Sequence, residues 1–563
     1  MAATKGGWDL EVDLVCVGSG MGGLSAAVAA YDAGLQVLVL EKAKKVGGVT
    51  AYSHGQIWCG ANHLQDSAGY PRDSLAATRE YLQYVSGGQY EAANLEALVV
   101  NSPLVIRYFM ERAGVRIKII SNFSDYYFPG APGSVAGGRV LEVEPFPGAE
   151  LGEWQHLTRT SPHVPAGLIH DEVFAWGGLA SMQTWDAGVM AERIQNDMRT
   201  FGPGLAAYFV KAALVDRGIP CHTETAGSQL VTEDGAVIGI RATPPRGGEL
   251  LIRARRGVVL ATSGYDGNRE YARRFERRPE WNTATFPGLD GDGLTMGAEI
   301  GAAVVGVAQD QVYPGFATPG ETHDGVPLFR MGTGEMGLPH GIVVNQDGRR
   351  FADEAFYPDV LAALQHFDAK RRRLKNFPVY LICDHDYRER YPLGSVLPGV
   401  PLPDGFGVTA DTVAGVADAL QIDATTLEKT VERFNGFARA GKDLDFGRGG
   451  FAWSQQMFGD PRAQPNANLG PLERPPFYGV RLEMVAGSIN NAGLLTDAAA
   501  NVRHVRGHAI PGLYAVGNAA PYVELGRGYQ SGLSNARGMV FGYLAAQHAA
   551  KRSVDADRPA QMV

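Results

Sequence analysis

Cysteine is scarce. The 563 residues carry four, Cys16, Cys59, Cys221 and Cys383. They lie far apart and form no Cys-x-x-Cys pair, which excludes a c-type haem site and a cysteine-rich zinc site. Reduced core thiols of a cytosolic protein are the expectation, with no metal. Positive charge is also short: 51 Lys and Arg stand against 60 Asp and Glu, a net charge of −9. No basic stripe runs along the chain, so no nucleic-acid partner is expected. The basic run Lys370 to Arg373 reads as a solvated helix face. No apolar run reaches the ~18–20 residues of a membrane span. Met1 to Leu10 lacks the apolar core of a signal peptide, so a cytoplasmic location is the default. No internal repeat is visible.

Glycine, by contrast, is plentiful at 73, and much of it clusters beside apolar runs. Such clusters mark tight turns and close backbone approach to a ligand. The sharpest case is near the start. Asp13 to Val17 reads as a buried strand, followed by Gly18-Ser19-Gly20-Met21-Gly22-Gly23 and a helix from Leu24 to Ala33. Gly34 ends the helix, and Gln36 to Leu40 forms a second strand closing on Glu41. This strand–turn–helix–strand unit binds dinucleotides. Gly18 permits the turn, Gly20 lets backbone approach pyrophosphate, and Gly23 lets helix and strand pack. The helix N-terminus offers free N–H groups to phosphate. Glu41 falls where an acid accepts ribose hydroxyls.

The next residues select the dinucleotide. Lys42-Ala43-Lys44-Lys45-Val46-Gly47-Gly48-Val49-Thr50-Ala51-Tyr52-Ser53 supplies a second glycine turn with small and hydroxyl residues. It resembles the Gly-Gly-x-Thr/Ser-x-x-Ser segment of the fumarate reductase and 3-ketosteroid dehydrogenase flavoproteins. The resemblance implies FAD, with Gly47, Gly48, Thr50, Ala51 and Ser53 along it. Two later strands agree: Gly257 to Leu260, ending in Ala261-Thr262-Ser263-Gly264, and Gly512 to Val516, ending at Gly517-Asn518. Gly332 to Gly337 lacks a preceding strand and reads as a loop. With no separate nicotinamide domain, an external electron acceptor is expected.

The expected fold is α/β. A Rossmann-like FAD-binding domain is split between 1–275 and 455–563, and an α+β substrate domain is inserted at 276–454. A hairpin is expected from Ser228 to Ala242, turning at Asp234-Gly235. Asp292 is placed near the cofactor and at the start of a helix through Ala302. A strand is expected from Gly341 to Asn345. The Gly-, Pro- and aromatic-rich stretch 119–187 reads as a loop bordering the site.

The same resemblance has two chemical branches. Fumarate reductases need cations for a dicarboxylate. Here Arg350-Phe351-Ala352-Asp353-Glu354 is present, but Pro358 stands where the acid arginine belongs. Ile489 to Gly493 replaces the histidine stretch, and Arg527 lies before Gly528-Tyr529-Gln530-Ser531-Gly532. Tyrosines stand nearby instead. The chain is similar to the 3-ketosteroid dehydrogenases at 124–130, 350–357, 476–481, 511–518 and 542–545. That similarity implies an α-proton and β-hydride loss beside a ring ketone. Tyr529 would polarise the carbonyl, Tyr357 would be the base, and Tyr126 or Tyr127 its partner. Tyr529-Gln530-Ser531-Gly532 is closer to the Δ4-(5α) form, in which the serine joins proton removal; the bond, Δ1 or Δ4, stays open. Ser531 otherwise caps the following helix. Gly532, Leu533 and Ser534 begin that helix, expected to aim its positive end at the flavin. His54 stands where the family usually has glycine, which leaves a covalent flavin link open. A steroid, or another cyclic ketone, is the implied substrate, and its partition into lipid leaves peripheral membrane contact open. A flavin ene-reductase is the alternative.

Overall fold

The computed structural model describes residues 7–307 and 311–552. The first six residues of the leading stretch lie outside it.

An eight-stranded sheet carries the first glycine turn. Its central path runs Asn501–Arg503, Ala509–Ala515, Leu250–Leu260, Leu10–Val17, Val37–Leu40 and Cys221–His222. Leu10–Val17 is parallel to both neighbours, with Leu14 opposite Val37 on one side and Gly257 on the other. Its Leu14 to Val17 end is buried among neighbours on both faces, which explains the unbroken apolar run. The expected hairpin forms from Ala226–Glu233 and Ala236–Thr243. Helix Met21–Asp32 lies against the last helix, Leu533–Lys551. Their approach depends on glycine: a Cβ on Gly542 would sit 2.7 Å from the Gly22 carbonyl oxygen.

A second sheet of seven strands is mainly antiparallel. Its path runs Val326–Met331, Val312–His323, Phe477–Ala486, Val379–Cys383 and Gly341–Asn345. Asn282–Thr283 and Val408–Ala410 also pair with Phe477–Ala486. The boundary expected at 454/455 therefore falls short, because strand 477–486 is the spine of this sheet. The other boundary, at 275/276, is not a clean cut either. Leu294, Met296 and Ala302 pack in the core of the first sheet, and Val304–Gly306 pairs with Ala492–Leu494.

Several smaller expectations change. Thr333–Met336 is one short helical turn, not a loop. Lys370 to Arg373 forms the turn of a small hairpin, not a helix face. The stretch 119–187 contains short helices and strands. Asp292 opens helix Asp292–Glu299 without capping it, since Gly291 holds the cap position and the Asp292 carboxylate pairs with Lys42 at 2.9 Å.

Candidate active site

The ends of the first sheet's parallel strands open on a cavity of about 1090 Å³. Single ligand pockets commonly fill ~300–1,000 Å³, so this one has room for a long cofactor and a second molecule.

One end is a glycine cradle. Gly18 has φ +107°, and a Cβ there would stand 2.3 Å from the Ala261 carbonyl oxygen. A Cβ on Gly48 would stand 2.8 Å from Gly20 Cα, so the two glycine turns face each other directly. Thr50 Oγ1 accepts the Met21 N–H at 3.0 Å. Glu41 is buried and accepts the Ser19 N–H at 3.1 Å and the Ala43 N–H at 2.8 Å. Lys42 is raised above its ordinary value: burial opposes this, but Asp290 and Asp292 hold the charge. Gly18, Gly20, Gly22, Glu41, Lys42, Gly48, Thr50, Ser53, Ala261, Thr262, Ser263, Asp292, Gly517, Asn518, Gly532 and Ser534 all line the cavity. Thr262 Oγ1 is buried and has no protein partner. That hydroxyl lies against Gly293 rather than in the cavity, since a Cβ on Gly293 would stand 2.3 Å from it; the facing glycine turns and the buried Glu41 are what fit a dinucleotide.

Five expected cofactor residues stand off the wall instead. Gly23 packs helix on strand: a Cβ there would be 1.9 Å from the Gly18 carbonyl oxygen. Gly47 donates to the Ser19 carbonyl, and Ala51 joins the small core around Phe286. A Cβ on Gly264 would collide with Asn490. Leu533 is fully buried.

The other end is aromatic. Tyr126, Tyr357, Tyr529 and Ser531 line it, from segments far apart in the chain. Tyr126 Oη and Tyr357 Oη are 2.9 Å apart. Tyr357 begins helix Tyr357–Leu364, with Pro358 beside it in the first turn. Burial pushes the Tyr357 phenol well above its ordinary value, and the phenols of Tyr126, Tyr313 and Tyr529 add to that. Burial likewise raises Tyr529, with Tyr522 and Tyr126 adding to it. Burial pushes Tyr126 up to about 12, against the lowering effect of Ser531 and Tyr357 beside it.

Of the adjacent pair, Tyr126 enters the cavity. Tyr127 points away and packs among Tyr84, Phe356 and Phe451. Ser531 does not cap the last helix. Gly532 holds that position, and Ser531 Oγ donates to Gln56 Oε1. His54 lies on the cavity wall with its surface open to the cavity. Burial, with His170 and His163 nearby, pushes it down to about 4.

Four participants had no sequence signal. Gln530 Oε1 accepts the Tyr126 N–H at 3.0 Å and the Tyr81 hydroxyl at 2.5 Å, locking two loops together. Trp453 lies 4.1 Å from the Tyr126 ring, centroid to centroid. Tyr313 flanks Tyr357, and His170 lies on the wall. Much of the apolar wall comes from the 119–187 stretch, including Val164, Val173, Phe174 and Met182. Arg527 is exposed and off the wall.

A facing pair of glycine turns on a parallel sheet, leading into a tyrosine-lined chamber, defines an FAD-dependent oxidoreductase. Comparison with known proteins agrees. The family described as FAD binding domain matches residues 13–534. The chain is 35% identical to 4-oxocyclohexanecarboxylate 2-dehydrogenase of Sinomonas cyclohexanicum, over 97% of this chain and 94% of that one. It is 33% identical to a 3-oxosteroid 1-dehydrogenase of Mycobacterium tuberculosis, over 96% and 99%. The structure superposes on 3-ketosteroid delta1-dehydrogenase from Sterolibacterium denitrificans with a TM-score of 0.88 at 30% identity, covering 96% and 99% of the two chains. The chain belongs to the 3-ketosteroid dehydrogenase family of FAD flavoproteins.

Proposed function

We propose that the protein desaturates a ring ketone at the α,β bond beside its carbonyl. The observation that carries this reading is the Tyr126–Tyr357 hydroxyl contact in a chamber shared with Tyr529. Tyr529 would donate a hydrogen bond to the substrate carbonyl and stabilise the enolate that develops there. Tyr357, paired with Tyr126, would take the α-proton. Bound FAD supplies the acceptor for the β-hydride. The last helix directs its N-terminus at the cavity, where its dipole favours negative charge.

The substrate class follows from the wall. His163 is pushed down to about 4, mainly by burial, which favours the neutral imidazole at pH 7. Arg330 is committed to Glu321 at 2.5 Å, and Lys42 to Asp290 and Asp292. Among the described wall residues no uncommitted cation faces a carboxylate. This favours a neutral, extended ketone of 3-ketosteroid type over a dicarboxylate. The similarity to an enzyme named for a cyclohexanone acid supports a second reading, a smaller ring ketone. Both relatives are named for desaturation next to a ring carbonyl, and we favour the Δ1 type. The second sheet and the 119–187 stretch would together form most of the substrate side. Electrons would leave to an external acceptor.

The test is anaerobic mixing of the holoenzyme with 3-ketosteroids, cyclohexanone and 4-oxocyclohexanecarboxylate. Loss of the flavin's visible absorbance with a ketone, and a new conjugated double bond in the product, is the expected result. Reoxidation of the reduced enzyme by fumarate, with no bleaching by any ketone, would move the protein to the reductase branch.

A further inference from the structure

The reading above leaves one acid on the cavity wall without a task. Glu335 sits in the short turn Thr333–Met336, half-buried, on the cavity wall. Arg330, the cation beside it, is held elsewhere, by the Glu321 carboxylate and by the Pro162 carbonyl at 2.6 Å. The Glu335 carboxyl meets its own backbone N–H and that of Gly394. A carboxylate has about four acceptor sites. Two N–H groups fill at most two of them, which leaves capacity for a ligand.

The turn is pinned from behind. The Glu335 carbonyl accepts the Tyr387 hydroxyl at 2.9 Å. Met336 is fully buried in the core of the second sheet. A Cβ on Gly334 would stand 2.8 Å from Leu179 and 3.9 Å from Phe458. From Phe458 the wall leads back to the tyrosines. The Phe458 ring lies 5.2 Å from the Trp453 ring, centroid to centroid, and Trp453 lies 4.1 Å from Tyr126. Tyr126, Trp453 and Phe458 all line the cavity. A molecule whose ketone sits among the tyrosines, and whose body lies along these rings, ends at Glu335. One small ring falls short of it; an extended fused-ring ketone spans the distance.

The chemistry of that end is set by the acid. Burial raises the Glu335 carboxyl to about 7, against the two N–H groups and the charge of Arg330. Tyr387 is the other titratable group facing it, and its phenol is held well above its ordinary value, so it stays neutral. In either protonation state the carboxyl accepts a hydrogen bond from a hydroxyl, whereas only the acid form donates to a ketone. A carboxylate brought against it meets a like charge. The apolar rings between offer nothing of this kind, so polar discrimination along this wall falls to the turn.

We propose that Glu335 is a specificity-determining residue, which accepts a hydrogen bond from a hydroxyl at the far end of an extended ring ketone and disfavours a carboxylate there. This rests on the ring-ketone reading above. A site built around such a hydrogen bond rejects the analogue that lacks it, because the buried acceptor is then left without its partner.

The experiment is anaerobic flavin bleaching of the holoenzyme at pH 8, where the carboxylate form prevails. It reads the half-saturating concentration of four steroids that share the ring ketone and differ at the far end. Testosterone carries a hydroxyl, 4-androstene-3,17-dione a ketone, androst-4-en-3-one neither, and 3-oxo-4-androstene-17β-carboxylic acid a carboxylate. Wild type is expected to half-saturate with testosterone about 10-fold or more below androst-4-en-3-one, with the acid weakest. Glu335→Leu should bring testosterone and androst-4-en-3-one within about twofold of each other. Glu335→Gln keeps the size, an acceptor and a donor but removes the charge. It should hold the preference for testosterone and strengthen the ketone and the acid about threefold or more; it carries the test if Glu335→Leu folds poorly. The same ranking of the four steroids in wild type and both variants would overturn the inference. So would a uniform weakening of all four, which marks packing only. Bleaching by cyclohexanone but by no steroid would overturn the inference and leave the ring-ketone reading standing. No bleaching by any ketone would overturn both.

Discussion

A single phenolic oxygen is the smallest change that tests the cavity. Tyr529→Phe removes the donor placed for the carbonyl, and we expect it to lower the rate of flavin bleaching by ~10²–10³-fold with FAD content unchanged. Tyr127→Phe should stay within about twofold of wild type, because its ring packs away from the cavity; losing a core hydroxyl with no site role is a minor change. Stopped-flow reduction by a 3-ketosteroid measures both. The place of Tyr529 and Tyr357 on the cavity wall was legible in the sequence because each sits in a motif with neighbours that fix its position. The choice between Tyr126 and Tyr127 was not, since both lie in one turn and only tertiary packing separates them. Gln56 and His170 gave no signal at all. Their meeting depends on two segments brought together across the cavity, which no local pattern encodes.

At the scale of elements, the two glycine turns act as one device. Gly48 has φ +54° and its Cβ position is filled by Gly20. Gly48→Val therefore faces both a strained backbone and a collision with main chain. We expect protein purified without bound FAD, checked by its visible spectrum, and a lowered thermal midpoint. The paired helices make a parallel case: Gly542→Leu must push Leu533–Lys551 off Met21–Asp32, and overpacking of that kind typically costs ~1–3 kcal/mol. The glycine turns and the strands flanking them were readable because their periodicity and turn chemistry are local. The insertion boundary was not. Strand 477–486 looks like any buried strand, and its membership of the second sheet is decided by partners about 70 to 200 residues away.

For the whole molecule, buried carboxyls set a pH dependence. Asp353 is raised to about 7, mainly by burial and then by the Glu354 charge beside it. In the unfolded chain it ionises near its ordinary value of 3.8. Between these values the folded state holds more protons, so this group's contribution to stability is present below pH 4 and is lost as pH rises towards 7 and beyond. Asp353→Asn should remove that fall: relative to wild type, its melting temperature should improve more at pH 7.5 than at pH 4.5. Asp73 behaves oppositely. Burial works against its ionisation, but Arg139 holds it below 3.8, so its contribution is full above pH 4 and is lost in acid. Asp73→Asn should therefore melt lower than wild type at pH 7 and converge on it in acid; a deficit that does not shrink as pH falls would refute this. Among the described residues, no helix is long and apolar enough to cross a membrane.

The central strand Leu10–Val17 is made first, yet its place in the sheet is fixed by Leu250–Leu260, and that strand in turn by Ala509–Ala515. The cradle is then roofed by the last helix. Synthesis proceeds from the other end, so a growing chain displays its cofactor motif long before anything can close over it. Capture of the flavin must wait for the final helix, and a chain truncated even shortly before Leu533 should be colourless however much of the protein it contains.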